Sequence, residues 1–336
     1  MVSFRVAPAA VLMLSVVAVM LCCSLASAQF GPEMYGLIGR FGMGSPVSTR
    51  VLAMGGQVGC INDQLFANPA FAAVQLQSNA GVRGNLTEFD NGPDVTTALV
   101  HAMVTLKPDR QGVQVMFLDL DSSSGAMVHP LAGPVTTKLF EKTVVVDFGQ
   151  RLSDRLTAGL SVLGHRRAGL SIVSGLGPLL ISLGDKSAYG FRGAVAYELA
   201  PDDYAGAVFN YAREEVTTAG VAALPGKNFD SYQFVLGASR HVTPQVLLAA
   251  EWQHGVLEAT GFKSSVDTLH FGAEYRPTPQ WGLRAGLSDG NISCGLGWSG
   301  EKWRADYAFI NNWNDDDAKQ LFGGSATHSF EVMLRW

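Results

Sequence analysis

The final ten residues, Thr327 to Trp336, constrain the fold more strongly than any other stretch of the chain. Every second side chain is apolar, namely Phe330, Val332, Leu334 and Trp336. The alternate positions carry Ser329, Glu331, Met333 and Arg335. Because side chains of a strand point alternately to opposite faces, one face of this segment is wholly apolar. Such a face invites aggregation in water and is stable against lipid, so we predict a membrane-spanning strand.

The same alternation runs back to Asn79 and predicts an all-β fold. About 14 segments, each near the 9–11 residues that a tilted spanning strand needs, alternate apolar and polar positions. Short turns fall at residues 107–111, 152–155, 200–203, 242–245, 276–280 and 299–301, and long connections at 122–138, 166–186, 217–228 and 314–327. We therefore predict a transmembrane antiparallel up-and-down β-barrel over residues 78–336. The short turns then share one rim, the periplasmic one, with the C-terminus.

Residues 1–28 have the pattern of a secretory signal peptide. Arg5 precedes an apolar segment, and Ala26-Ser27-Ala28 offers a cleavage site before Gln29. We predict cleavage after Ala28 and a location in the bacterial outer membrane, with outer-membrane lipid as the partner of the barrel wall. Cys60 and Cys294 would then remain. Because alternation points Cys294 toward lipid, we expect a free, buried pair of small apolar side chains and not a disulfide.

Residues 29–77 do not alternate and are predicted to form a compact hatch inside the barrel. Wall side chains cannot fill a barrel of this width, so the lumen holds water or a plug. The residues that mark the hatch are Arg50, Met54, Gly55, Gly56, Asn62, Asp63, Asn68, Pro69 and Ala70. Asn62, Asp63 and Asn68 belong either to a hatch that moves or to turns and caps that hold it rigid.

Inward positions of the strands carry charges of both signs. They are Arg83, Asp147, Arg192, Glu251, Glu274, Arg284, Arg304 and Asp306. Buried charges are costly unless they are paired, so we predict a polar network in the lumen. Inward apolar positions line a hydrophobic path or pack against the hatch. They are Met103, Met116, Leu118, Val145, Leu163 and Val235.

The predicted loop 166–186 is unusually apolar. Its central apolar residues are Leu176, Leu179, Leu180, Ile181 and Leu183. An external loop of this composition is expected to cover something or bind something. Two alternatives remain open from the sequence: the loop captures a hydrophobic ligand, or it folds down to cap the barrel.

Signals for enzymes, metals and nucleic acid are absent or weak. The glycines from Gly295 to Gly300 match a dinucleotide fingerprint by letter, but no helix pattern follows them. Ser161 and His165 are the nearest local pair of catalytic type, without a third partner. The histidines show no metal-ligand spacing, and a net charge of −5 argues against nucleic acid. We predict a non-enzyme without cofactor or metal.

Two motif regions resemble a known superfamily. The run from Arg50 to Gly56, followed by Asn62-Asp63 and Asn68-Pro69-Ala70, is similar to the hatch of FadL-type long-chain fatty acid transporters. It resembles the related PorV/PorQ-like outer-membrane proteins still more closely. Asp306-Tyr307-Ala308-Phe309 resembles the closing strands of that second group, as does the last strand. The segment Phe330–Trp336 resembles the signal by which outer-membrane barrels engage the barrel assembly machinery.

The resemblance to FadL implies passive uptake of small hydrophobic molecules, such as fatty acids or aromatic hydrocarbons, past the hatch. The resemblance to PorV implies a different function, in which the barrel docks or shuttles secreted surface proteins. A purely structural barrel is the third alternative. The sequence leaves the choice between them open.

Overall fold

The computed structural model describes residues 48–56, 59–63, 68–90, 94–122, 126–129, 133–174, 181–216, 218–219, 227–259, 262–311 and 324–336. The predicted signal peptide and the first part of the predicted hatch lie outside these residues. Leu176, Leu179 and Leu180 of the predicted capture loop also lie outside them. Within the described residues, no helix has the length and apolar character needed to cross a membrane.

Sixteen strands lie in the described part of the chain. They are β1 Asn79–Phe89, β2 Val95–Lys107, β3 Gln111–Ser122, β4 Ala126–His129, β5 Gly133–Arg151, β6 Leu156–Ser174, β7 Ile181–Ala200, β8 Asp203–Val216, β9 Thr218–Ala219, β10 Lys227–Thr243, β11 Val246–Ala259, β12 Phe262–Tyr275, β13 Trp281–Ser288, β14 Asn291–Ser299, β15 Trp303–Asn311 and β16 Ser325–Arg335.

All of these strands except β4 and β9 form one closed ring. Each pairs antiparallel with its neighbours along the chain, and β3 pairs directly with β5. The ring closes where β1 pairs with β16, from Asn79 opposite Arg335 to Phe89 opposite Ser325. The predicted 14-stranded up-and-down barrel is therefore confirmed.

The two faces of the wall differ in polarity. On β16, Phe330 is 58% exposed and Val332 is 45% exposed, whereas Glu331 and Met333 are buried. Exposed apolar side chains cover the outside of the ring, including Val104, Phe148, Leu160, Phe191, Leu236, Phe271, Leu283 and Leu296. The turns between β12 and β13 and between β14 and β15 are flanked by exposed aromatic side chains, namely Tyr275, Trp281, Trp298 and Trp303. An apolar band edged by aromatic residues is the surface of a barrel solvated by lipid.

The predicted long loops at 122–138 and 166–186 are wrong over most of their length, because strands occupy those residues; most of 217–228 and 314–327 lies outside the described residues. Leu170 on β6 pairs with Leu183 on β7, and Ile172 pairs with Ile181, so most of 166–186 is a hairpin of two strands. Ile181 and Leu183 are therefore strand residues, and the strands of the closed ring run from 8 to 20 residues. Beyond the lipid neither face must be apolar. A strand can therefore continue there without the alternation from which its length was predicted.

The two cysteines do not form a buried pair. Both are free, but Cys60 is buried inside the lumen and Cys294 is exposed on the outer wall. The alternation of β14 explains the difference, because Cys294 shares the lipid-facing side with Ile292 and Leu296.

Candidate functional site: the hatch and the lumen

The hatch is defined here as residues 48–56, 59–63 and 68–78, which precede β1 and lie inside the barrel. It contains helix α1, Thr49–Ala53, and a 3₁₀ helix, Pro69–Val74. Capping side chains begin both helices: the Ser48 side chain accepts from the amide of Val51, and that of Asn68 from the amide of Ala70. All residues of both helices are buried.

Gly55 and Gly56 end helix α1. Their φ angles are +90° and +83°, which only glycine adopts without strain. Their amides donate to Leu52 O at 3.1 Å and to Val51 O at 2.9 Å, which closes the helix in a Schellman motif. Gly55 also touches the wall, since a Cβ there would lie 2.8 Å from the carbonyl oxygen of Phe271.

The wall presents glycines where the hatch meets it. A Cβ at Gly206 would lie 1.9 Å from Gly59 O, and one at Gly112 would lie 2.2 Å from Ala72 O. Similar close approaches occur at Gly149, Gly159 and Gly286. The hatch backbone therefore packs directly on the backbone of the strands. Sequence reasoning missed these contacts, although inward-facing glycine inside a strand was a readable signal of close backbone approach.

Six charged side chains join the hatch to the wall in a closed ring in which carboxylates and guanidinium groups alternate. In order around the ring they are Glu274, Arg50, Asp63, Arg304, Asp306 and Arg284. Arg50 and Asp63 come from the hatch, and the other four come from β12, β13 and β15. The predicted polar network therefore includes two residues of the hatch itself.

Glu274 is the most heavily bonded carboxylate of the charge ring. Arg50 donates to its two oxygens at 2.8 and 3.0 Å, and Arg284 donates at 2.7 Å. Arg276, outside the ring, donates at 2.6 Å. Such charge-assisted bonds compensate the desolvation of a carboxylate that is only 1% exposed.

Asp63 is the hatch carboxylate of the ring. It bonds to Arg304 and Ser48 and lies 3.9 Å from Arg50. Burial disfavours its charged form, but the guanidinium groups of Arg304 and Arg50 outweigh burial and lower the pKa of Asp63 below its usual range. Asp63 therefore stays ionised as a link between the hatch and β15.

Other hydrogen bonds attach the hatch at several strands. The amide of Thr49 donates to Glu331 at 2.6 Å, and that of Gly59 donates to Glu251 at 2.6 Å. Further bonds involve Asn68 with Val195 O, Ser239 with Cys60 O, His270 with Gly55 O and Ser293 with Ala53 O. Within the hatch, Gln75 donates to Asn62 Oδ1 at 2.8 Å. The predicted turn and capping residues thus hold the hatch together.

Not every predicted lumen residue joins this attachment. Arg83, Asp147 and Arg192 are buried inside the barrel but are not members of the charge ring. Arg192 donates to Asn210 at 2.6 Å. Nε and Nη1 of Arg83 have no hydrogen-bond partner among the described residues.

Among the described residues, the lumen contains a larger and a smaller apolar cluster. Met103 and Val235 belong to the larger one, in which wall residues pack against Val51, Leu52 and Phe71 of the hatch. The smaller one holds Leu99, Met116 and Val145, with Leu118 packed against it. The described residues contain no group of His, Cys, Asp and Glu arranged to hold a metal ion.

Comparison with known proteins supports the fold. No protein-family model matches the chain, and no curated protein does. Among solved structures, the chain is similar to the Pseudomonas putida toluene transporter TodX, with a TM-score of 0.60, 14% identity and coverage of 87% of this chain and 98% of that chain. It is also similar to the Ralstonia pickettii toluene transporter TbuX, with a TM-score of 0.56, 15% identity and coverage of 88% of this chain and 98% of that chain. A Pseudomonas aeruginosa FadL homologue has a TM-score of 0.54 and 14% identity, with coverage of 86% of this chain and 98% of that chain. The barrel therefore has the FadL-type fold.

Proposed function

We propose that this FadL-type barrel is an outer-membrane channel for the passive uptake of small hydrophobic molecules. The observation that carries the proposal is the apolar cluster of Leu99, Met116 and Val145 on the inside of the wall. The interior of a barrel that conducts water-soluble solutes is polar. An apolar lining inside a plugged lumen suits a solute that leaves water readily.

The hatch supports the same proposal. Its helices fill part of the lumen, and the charge ring holds it to β12, β13 and β15. A wide aqueous pore is therefore not the function that this arrangement favours. Slow, selective passage of a solute around or past a plug is compatible with it.

The solved structures of similar fold give the proposal its substrate class. Two of them are named as toluene transporters and a third as a FadL homologue. We extend hydrophobic uptake, an outer-membrane location and the lack of enzymatic activity to this chain by analogy of fold. The finer resemblance to PorV/PorQ-like proteins, and docking of secreted proteins, stay predictions from the sequence.

Uptake into intact bacterial cells tests the proposal. Cells with and without the protein are given labelled toluene or a labelled medium-chain fatty acid, and entry is followed over the first minute. We expect faster entry with the protein for at least one of these solutes, and unchanged entry of a small sugar. Equal entry of both hydrophobic solutes in the two kinds of cell would refute the proposal.

The capture-loop residues Leu179 and Leu180 lie outside the described residues, so ligand capture there stays a prediction. The double substitution of both leucines by aspartate is expected to lower uptake of the hydrophobic solute. Unchanged uptake would remove this segment from the mechanism.

A further inference from the structure

The hatch is attached to the wall mainly on one side. In the described part of the chain, hydrogen bonds from residues 48–74 reach strands between β7 and β16. None of these bonds reaches β1, β2 or β3. The last residues of the hatch are bonded there, because Ser78 Oγ accepts from the amide of Thr105 on β2 at 3.1 Å and Gln75 O accepts from the amide of Asp109 in the turn after β2 at 3.5 Å. The hatch contacts β3 where Ala72 packs against Gly112, the second residue of that strand.

The less attached side contains buried polar groups that lack partners. Among the described residues, Nε and Nη1 of Arg83, both ring nitrogens of His101, and both amide atoms of Asn79 have no hydrogen-bond partner. Arg83 is 6% exposed, His101 is 1% exposed and Asn79 is fully buried. Buried polar atoms are normally bonded, and leaving them unpaired costs free energy. The free-energy cost of these unpaired atoms is removed when a solute or water can form hydrogen bonds with them.

The small apolar cluster lies on the same side. Leu99 is the register partner of Arg83 on β1 and of Leu118 on β3. His101 is the register partner of Met116. Polar and apolar side chains therefore occupy neighbouring positions on this face of the lumen, here named the β1–β3 sector and defined by Arg83, Leu99, His101 and Met116.

We propose that solute passes the hatch along the β1–β3 sector, while the hatch stays attached to β10–β16. This inference rests on the proposed function and assigns the route within it. Residues 48–74 of the hatch give way toward the β1–β3 sector, and the hatch stays in place where the charge ring and its last residues hold it. A lining with both apolar surface and unpaired donors and acceptors takes a solute that has an apolar body and a hydrogen-bonding head.

Cysteine substitution on the two sides of the lumen tests the route. The parent is Cys294→Ser, which removes the exposed thiol and keeps the buried Cys60. Leu99→Cys and Met116→Cys place a thiol in the β1–β3 sector. Ala212→Cys is the matched control, because this buried side chain shares the inward face of β8 with Val208 and Asn210, outside the β1–β3 sector. Each is treated with a negatively charged methanethiosulfonate, and uptake of p-cresol and toluene is measured.

We expect the reagent to lower uptake roughly tenfold in Leu99→Cys and Met116→Cys, because a charge on the route opposes an apolar solute. We expect excess solute to slow modification at these two positions. Uptake by Ala212→Cys should stay at the parent level. Two variants in the sector keep the test informative if one does not fold.

The outcomes separate the route from the function. If the parent raises uptake but neither sector variant responds, or Ala212→Cys responds as strongly, the route is wrong and the channel function stands. If the parent gives no uptake above that of cells without it, the proposed function fails. If the parent takes up p-cresol no faster than toluene, the hydrogen-bonding head is removed from the proposal.

Discussion

Glu274→Gln offers the sharpest test of the charge ring. Glu274 is 1% exposed and accepts hydrogen bonds from Arg50, Arg284 and Arg276. The three carboxylates and three guanidinium groups of the ring sum to zero charge, and the substitution leaves an excess of one positive charge. Removing one partner of a buried ion pair costs about 3–5 kcal/mol. Arg276 is 44% exposed and hydrated, so we take the lower end of that range.

The loss should appear as local opening of the hatch while the barrel stays folded. Amide hydrogen exchange in detergent reports this opening directly, because exchange from a local open state follows its free energy. About 3 kcal/mol corresponds to a roughly hundredfold faster exchange of the amides in helix α1.

Glu258→Gln is the matched control for this measurement. Glu258 makes an ion pair of 3.6 Å with Lys263, and both side chains are more than half exposed. Surface pairs contribute little to stability, so exchange in the hatch should not change. The reasoning is refuted if Glu274→Gln leaves α1 protected, or if the control loosens it equally.

Three further predictions concern the hatch. Gly237→Cys should form a disulfide with native Cys60, because an ideal Cβ at position 237 lies 3.0 Å from Sγ of Cys60. Mass spectrometry detects the bond, and uptake should persist after oxidation. Loss of uptake after oxidation would show that the hatch must move relative to β10. Gly206→Ala should lower the unfolding temperature, because overpacking costs about 1–3 kcal/mol, while Gly193→Ala, with open space around its Cβ position, should not. The pKa of Asp63 is lower in the folded protein than in the unfolded chain, so its charge stabilises the fold at any pH above the unfolded pKa. This stabilisation is lost as the pH falls through the folded pKa. Exchange protection of the hatch should therefore survive at pH 4 and weaken only in stronger acid.

The sequence predicts the barrel because lipid imposes one rule on every spanning strand. Each outward side chain must be apolar, so the sequence of β16 alone reveals its two faces. The same rule fails for β5, β6 and β7 beyond the lipid. There the strands continue through pairing with each other, and pairing leaves no pattern of apolar side chains in one sequence.

The hatch is predicted only in outline. Its capping and turn residues act locally, so Ser48 and Gly55 leave signals within a few positions. The charge ring is different, because Arg50 bonds to a residue 224 positions away and Asp63 to one 241 positions away. Alternation predicts that the wall charges point inward, but it does not identify their partners. The partners of the wall charges become identifiable only from the orientation of the hatch inside the barrel, which places Arg50 beside Glu274 and Asp63 beside Arg304.

The division of the charge ring has a consequence for biogenesis. The wall contributes Glu274, Asp306, Arg284 and Arg304, two charges of each sign, and Arg284 already bridges the two carboxylates. The hatch contributes one charge of each sign. Each half of the charge ring is thus neutral before the two meet, so the wall half needs no charge from the hatch when an empty cylinder enters the bilayer. Docking of the N-terminal segment can then follow as a later, separate step of maturation.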